Sequence, residues 1–267
     1  MGVDVGNENR VSVVVPVLNE AENVGTLVRE IGAAMDGWDF EMIFVDDGST
    51  DRTVEVLRDL AKEFPTLRCL HHLKRCGQSA AIRTGVKHAS GGVIVTLDGD
   101  GQNPPSEIPR LARHLIEADA GVGLVQGQRA KRQDTLWKKV GSRLANKIRQ
   151  GLLQDGVKDS GCGLKAFYRS AYLELAYFDH LHRFMPVMMI REGYRVAVLD
   201  VSHRERQAGT SKYGNLQRAL VGIYDLLGVV WLRKRRALSA VEEVAFGAEP
   251  QPAAMASSLT GGAATKP

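Results

Sequence analysis

Cysteine is scarce in this chain, and its thiols are badly spaced for structural chemistry. Cys69, Cys76 and Cys162 are odd in number and form no C-x-x-C pair. That excludes a disulfide framework and a zinc knuckle, and it fits a reducing compartment. Long apolar runs are missing too. No stretch reaches the roughly 18 apolar residues of a spanning helix, so none is expected. Met1–Arg10 is polar and has no apolar stretch of signal-peptide length. Neither G-x-G-x-x-G nor G-x-x-x-x-G-K-[ST] occurs. This argues against a dinucleotide cofactor and a P-loop phosphotransferase. No one charge dominates: 35 Lys and Arg face 31 Asp and Glu, for a net charge of +4 and a pI near 9.0. Placement of charge therefore matters more than its sum.

What is present is an alternation of strand and helix. Val11–Val15, Phe40–Val45, Leu67–Leu73, Val93–Leu97 and Gly123–Gly127 read as strands. Their continuous apolar runs suit a parallel sheet buried on both faces. Helical spacing follows Asn19, which with Glu22 resembles a capping box. Further helices are expected over Asp51–Phe64, Gln78–Ala89 and from Pro104 to about Ala118. Ser49 or Thr50 is expected to cap the second helix. The second half is less regular, with helix candidates at Thr135–Leu153, Phe184–Glu192 and Asn215–Leu232 and a strand at Arg195–His203. Strands alternating with helices of this length predict right-handed βαβ units in a doubly wound sheet.

Three of these strands run into similar turns: Pro16-Val17-Leu18-Asn19-Glu20, Asp46-Asp47-Gly48-Ser49 and Asp98-Gly99-Asp100-Gly101-Gln102. Ligands of open α/β sheets bind at the carboxyl ends of strands, near the switch in strand order. Acids crowded there repel one another unless a cation compensates. Asp98 and Asp100, one residue apart at a strand end, can both turn toward one divalent ion. Mg²⁺ and Mn²⁺ favour such oxygen ligands. Gln102 can add a neutral oxygen, and Gly99 lets a diphosphate approach the backbone. Asp47 suits a ribose hydroxyl or a base N–H. A plain β-turn is the bland alternative for Asp-Gly-Asp-Gly.

The ordered set VSVVVPVLNEAENV, FVDDGSTD, TLDGDGQNPP, RCGQSAAIRTG, DSGCGLKAF, LHRFMP and RERQAGTSKYG resembles family 2 glycosyltransferases, over roughly residues 11 to 235. Within that family it is most similar to polyprenyl-phosphate sugar transferases of the dolichyl-phosphate mannosyltransferase kind. The resemblance implies a GT-A fold: a Rossmann-like, doubly wound, mostly parallel α/β sheet with flanking helices and a C-terminal amphipathic helix. It implies inverting transfer from a nucleoside-diphosphate sugar to a polyprenyl phosphate, with Mg²⁺ or Mn²⁺. It places Pro16, Leu18, Glu20, Val45 and Asp47 on the nucleoside. Asp98, Asp100 and Gln102 hold the metal and diphosphate, and Arg129 meets a phosphate. Arg206 and Lys212 close over the donor, and Asp159 is a base or orienter. His182-Arg183-Phe184 becomes an acceptor-site element. The chain departs from the family pattern at Cys162, where Ser is usual, and at Lys165, where Arg is usual. Lysine is a point charge rather than a bidentate fork, so sugar and acceptor preference need not follow the family.

The expected organisation is an N-terminal extension (1–10), the transferase domain (11–214), a membrane-surface helix (215–236) and a disordered tail (237–267). Arg129–Arg149 is strongly basic with Asp134 as its single acid. With only Trp137 interleaved and no nucleic-acid motif, that strip suits lipid phosphates better than nucleic acid. Leu216, Leu220, Ile223, Leu226 or Leu227, and Val230, followed by Trp231 and Arg233–Arg236, resemble an interfacial helix. A helix packed on the protein's own core stays open as the alternative. Peripheral attachment at the cytoplasmic face of a membrane is the expectation, and a homo-oligomer is compatible with it. Three other readings stay open: a soluble or glycan acceptor, a nucleotidyltransferase, and a non-catalytic nucleotide-sugar sensor.

Overall fold

A computed structural model describes residues 9–129, 150–153, 155–204 and 215–237. In chain order the elements are β1 (Val11–Val17), α1 (Ala21–Ala34), β2 (Phe40–Asp46), α2 (Thr53–Leu60), β3 (Leu67–His71), α3 (Gln78–His88) and β4 (Val93–Thr96). A 3₁₀ turn (Pro105–Glu107) leads into α4 (Ile108–Ile116), then β5 (Val122–Arg129), β6 (Lys165–Tyr168), α5 (Arg169–Glu174), α6 (Leu181–Arg191), β7 (Arg195–Val201) and α7 (Asn215–Lys234).

The strands form one seven-stranded sheet ordered β3-β2-β1-β4-β6-β5-β7. β3, β2, β1 and β4 run parallel, and β5 runs parallel to β7. β6 is antiparallel to both its neighbours. Strand order reverses between β1 and β4, so their carboxyl ends flank the crevice where such sheets bind ligands.

Period-two alternation splits the core into two layers. Val11, Val13, Val15 and Val17 of β1, with Met42 and Phe44 of β2, pack under α1, α2 and α4. Val14, Ile43, Val45 and Ile94 face the other way, toward α3, α5 and α6. Valine and isoleucine dominate because both faces of these strands are dry. One buried polar knot sits at the sheet's amino end. Glu41 accepts Ser12 Oγ at 2.7 Å, Ser90 N at 2.7 Å and Arg68 NH1 at 2.6 Å. Burial opposes its charge, but these donors outweigh it and hold the Glu41 carboxyl down to about 2.

Two expectations fail, and two elements were not expected at all. Asn19 is not a capping-box residue: it has a φ of +53°, and its side chain accepts Thr50 N at 2.7 Å while its own N–H donates to Ser49 Oγ at 2.7 Å. It ties the first turn to the second. Neither Ser49 nor Thr50 caps α2, because Asp51 Oδ1 accepts the Thr53 N–H at 3.0 Å instead. The sequence also conceals β6 and α5. β6 has only four residues and begins with a lysine, so it lacks a readable strand pattern. Thr135–Leu153 lies outside the described residues except for a helical end at 150–153.

Candidate active site

The turn after β4 carries the acids, and neighbouring elements shape it. Gln78 Nε2, from the first turn of α3, donates to Asp98 Oδ1 at 2.8 Å. Asn103 Nδ2 reaches Asp98 Oδ2 at 3.4 Å. Gly163 lies directly against the same carboxylate: a Cβ there would collide with Asp98 Oδ2, Cγ and Oδ1. Burial and then the charge of Asp100 push the Asp98 carboxyl up, against the pull of Lys165, Gln78 and Arg129. Gly99 is buried for a reason the sequence did not suggest. A Cβ there would sit 2.6 Å from Val17 Cγ1, so the end of β1 requires the glycine.

The antiparallel strand β6 brings the Asp159–Lys165 segment alongside. Thr96 pairs with Lys165 in register, and Thr96 Oγ1 donates to Gly163 O at 2.8 Å. Lys165 is buried and donates to Cys162 O. Burial lowers its ammonium below the ordinary lysine range, countered by the Cys162 thiol, Asp98 and Asp159. Arg129, at the end of β5, forms a two-pronged pair with Asp159: Nε to Oδ2 at 2.6 Å and NH2 to Oδ1 at 2.8 Å. This fork holds the guanidinium charge firmly and occupies both carboxylate oxygens. A cleft of about 180 Å³ opens here, bounded by Asp98, Gln78, Thr96, Lys165, His182 and Arg183.

The turn after β2 is built differently. Asp47 is nearly buried, and its oxygens accept Cys76 N at 2.8 Å, Gly77 N at 2.8 Å and His72 Nδ1 at 2.9 Å. His72 Nε2 is in turn bonded to Thr84 Oγ1 at 2.9 Å. Polar atoms of Asp47, His72 and Cys76 lie within 4.8 Å of one another, but hydrogen bonds already satisfy the first two.

The other residues singled out from sequence fall as follows. Pro16 and Val45 are register partners in β1 and β2, and Val45 has no exposed surface. Leu18 is partly buried in the turn beyond β1. Glu20 precedes α1 and accepts Asn23 Nδ2 at 2.6 Å. Gln102 bonds through its backbone, donating to Asp100 Oδ1 at 3.2 Å and accepting Arg204 N at 2.9 Å. Arg206 and Lys212 lie outside the described residues. Gln78, Asn103 and Gly163 were not singled out individually. Their positions against Asp98 depend on α3 and β6 closing on the β4 turn, a contact no local pattern encodes.

Two carboxylates one residue apart at a strand end fit Mg²⁺ or Mn²⁺, since a dication would offset both the burial and the Asp100 charge that raise the Asp98 carboxyl. Among the described residues no third His, Cys, Asp or Glu completes a compact group with Asp98 and Asp100. Substrate phosphates and water would complete such a shell, as is common for Mg²⁺.

Residues 12–175 match the model of glycosyl transferase family 2. The chain is 37% identical over 233 residues to an undecaprenyl-phosphate 4-deoxy-4-formamido-L-arabinose transferase of Edwardsiella ictaluri (strain 93-146), covering 86% of this chain and 70% of that one. The corresponding protein of Enterobacter sp. (strain 638) is also 37% identical, over 235 residues, with the same coverage. Among solved structures, glucosyl-3-phosphoglycerate synthase from Mycobacterium tuberculosis in complex with Mn²⁺, UDP and glucosyl-3-phosphoglycerate superposes with a TM-score of 0.63 at 20% identity. That superposition covers 84% of this chain and 80% of that one. The Mg²⁺ and UDP complex of the synthase gives 0.64, covering 84% and 79%. At that identity the likeness speaks for the fold. Fold and acidic strand ends together define a GT-A glycosyltransferase. The chain belongs to glycosyltransferase family 2.

Proposed function

We propose that the enzyme transfers a sugar from a nucleoside-diphosphate sugar to a polyprenyl phosphate of the undecaprenyl or dolichyl type, with inversion at the anomeric carbon. The observation that carries this is the Asp98 carboxylate, held by Gln78 and Asn103, pushed up by burial and by Asp100, and opening onto a cleft beside Lys165 and Arg183. The identity of the acceptor rests on the polyprenyl-phosphate relatives at 37% identity.

In this reading Asp98 and Asp100 hold the divalent cation, with Gln102 beside them. The cation supplies Lewis-acid charge at the departing diphosphate. The strand-end residues Pro16, Leu18, Glu20, Val45 and Asp47 frame the nucleoside, chiefly through backbone. Arg206 and Lys212 cover the diphosphate and exclude water. A phosphate acceptor is already ionised near neutral pH, so it needs positioning more than deprotonation. That suits Asp159, whose oxygens both grip Arg129. Asp159 then acts as the orienter of a phosphate-binding arginine.

The membrane surface is the second half of the proposal. α7 buries Val229 and packs Leu226, Val230 and Leu232 on the core. It leaves Ile223 (58%), Tyr224 (80%), Leu227 (61%) and Trp231 (58%) exposed, ahead of Lys234 and Arg235. An apolar stripe ending in cations fits the interface of an anionic bilayer. No helix among the described residues is long and apolar enough to cross a membrane. Peripheral attachment at the cytoplasmic face follows as the proposed arrangement.

The test is a panel of nucleotide sugars with short-chain polyprenyl phosphate, with and without chelator. Chelator-sensitive formation of a sugar-phosphate lipid is the expected result. Transfer only to water-soluble acceptors, unaffected by detergent or vesicles, would sink the lipid assignment.

A further inference from the structure

The cleft beside Asp98 contains a histidine whose proton position the hydrogen bonds fix. Ser79 lies in the first turn of α3 and is 1% exposed. Its Oγ is 2.7 Å from His182 Nδ1 and accepts the backbone N–H of His182 at 3.2 Å. Among the described residues Ser79 Oγ has no other partner. If Nδ1 carried the proton, the serine hydroxyl hydrogen would be buried with nothing to receive it, an arrangement folded proteins avoid. The hydroxyl therefore donates to Nδ1, and the ring proton sits on Nε2. Burial, with Lys165, Arg183 and His180 nearby, keeps the imidazole well below its ordinary range, so it stays uncharged. Nε2 has no partner among the described residues, and His182 lines the cleft shared with Asp98 and Gln78.

We infer that His182, which the family resemblance puts in an acceptor-site element, is instead a specificity-determining residue for the transferred sugar: its fixed Nε2–H donates to an oxygen on the sugar ring or its substituent. The inference rests on the proposed transferase function. Two observations select the sugar over the phosphates. The donor is a neutral N–H, which matches an uncharged sugar oxygen, whereas a phosphate oxygen is bound most strongly by charged donors. Asp98 and His182 line one cleft, so a sugar attached to a diphosphate held at Asp98 would lie within reach of His182. A site that presents a fixed donor rejects a sugar lacking the matching acceptor, because the N–H is then left unpaired. A hydroxyl or an amide carbonyl would satisfy it.

The test compares ligands with and without the sugar. Binding of UDP and of UDP-linked 4-deoxy-4-formamido-L-arabinose, glucose and arabinose is titrated with Mg²⁺ on the wild type, His182→Ala, His182→Gln and Ser79→Ala. His182→Ala is expected to weaken the preferred sugar nucleotide about tenfold, the order of one buried hydrogen bond, while UDP affinity stays within about twofold. His182→Gln, which keeps an N–H, should recover part of the loss. Ser79→Ala, which frees the tautomer, should lose less than His182→Ala. Multiple-bond ¹H–¹⁵N spectra of the wild type should show His182 protonated at Nε2 alone. Equal loss of UDP and sugar-nucleotide binding, no loss of either, or a proton on Nδ1 would overturn the inference. A wild type that binds no sugar nucleotide at all would instead overturn the transferase reading, while the spectra would still report the tautomer.

Discussion

The two acidic turns, after β2 and after β4, read almost alike in sequence but do opposite work in the fold. Asp47 accepts three protein donors, two backbone N–H groups and a histidine, so it organises the Lys74–Gln78 segment. Asp98 is held by two side-chain amides, and burial together with the charge of Asp100 raises its carboxyl. A carboxylate filled by the protein builds backbone. A carboxylate in repulsion with its neighbour has ligand capacity to spare. An aspartate at a strand end is thus informative only once its partners are known.

The sharpest way to break that contrast is to neutralise the second turn. Asp98→Asn and Asp100→Ala should each cut transfer about a thousand-fold, since each removes a carboxylate that would hold the divalent cation at the leaving diphosphate. Both should melt within a few degrees of the wild type, because the partners of Asp98 are side-chain amides that can turn an oxygen toward a new N–H, unlike the fixed backbone N–H groups on Asp47. Near-normal turnover by either variant in a radiolabelled transfer assay would end the metal assignment. Next in size is Gly163→Ala, whose new methyl group would collide with the Asp98 carboxylate. Displacing that ligand by about an ångström should reduce turnover about a hundred-fold, with Mg²⁺ or Mn²⁺ dependence moved to higher concentration.

Asp47→Asn tests the other half of the comparison. An asparagine must turn an NH₂ toward donors that now meet an oxygen, leaving a buried N–H unpaired. A loss of about 2 kcal/mol is expected, seen as a fall of roughly 6 °C in Tm, whatever the effect on activity. An unchanged Tm would show that Asp47 does not build the turn. The smallest effect concerns Glu41, a second protein-satisfied carboxylate. Its folded value of about 2 lies below the ordinary 4.5. Its stabilisation is therefore complete above pH 4.5 and is lost as pH falls from there through about 2. Glu41→Gln should lower stability at neutral pH by about 1 kcal/mol and flatten the decline of Tm across that acidic window.

Much of the architecture was legible because it is local. Buried β-branched runs at Val11–Val15 and Val93–Thr96 declare two-sided strands, and the Pro104-Pro105 break announces α4. Asp98 and Asp100 could be singled out because a paired acid at a strand end is a chemical oddity in one stretch of chain. The family resemblance pointed to Arg129 and Asp159, and the structure shows that they clasp each other. β6 escaped notice because four residues beginning with a buried lysine carry no periodicity.

By itself, then, the order of amino acids determined the alternation of elements, the two-faced core and the identity of the acids, all set by neighbours a few positions apart. Only the tertiary structure decided which aspartate is sated and which is strained, that Gly163 shoulders Asp98, and that Ser79 fixes the proton on His182, 103 positions away. Those outcomes depend on hydrogen-bond partners and excluded volume delivered by distant segments. Such terms are properties of packed neighbours in space rather than of spacing along the chain.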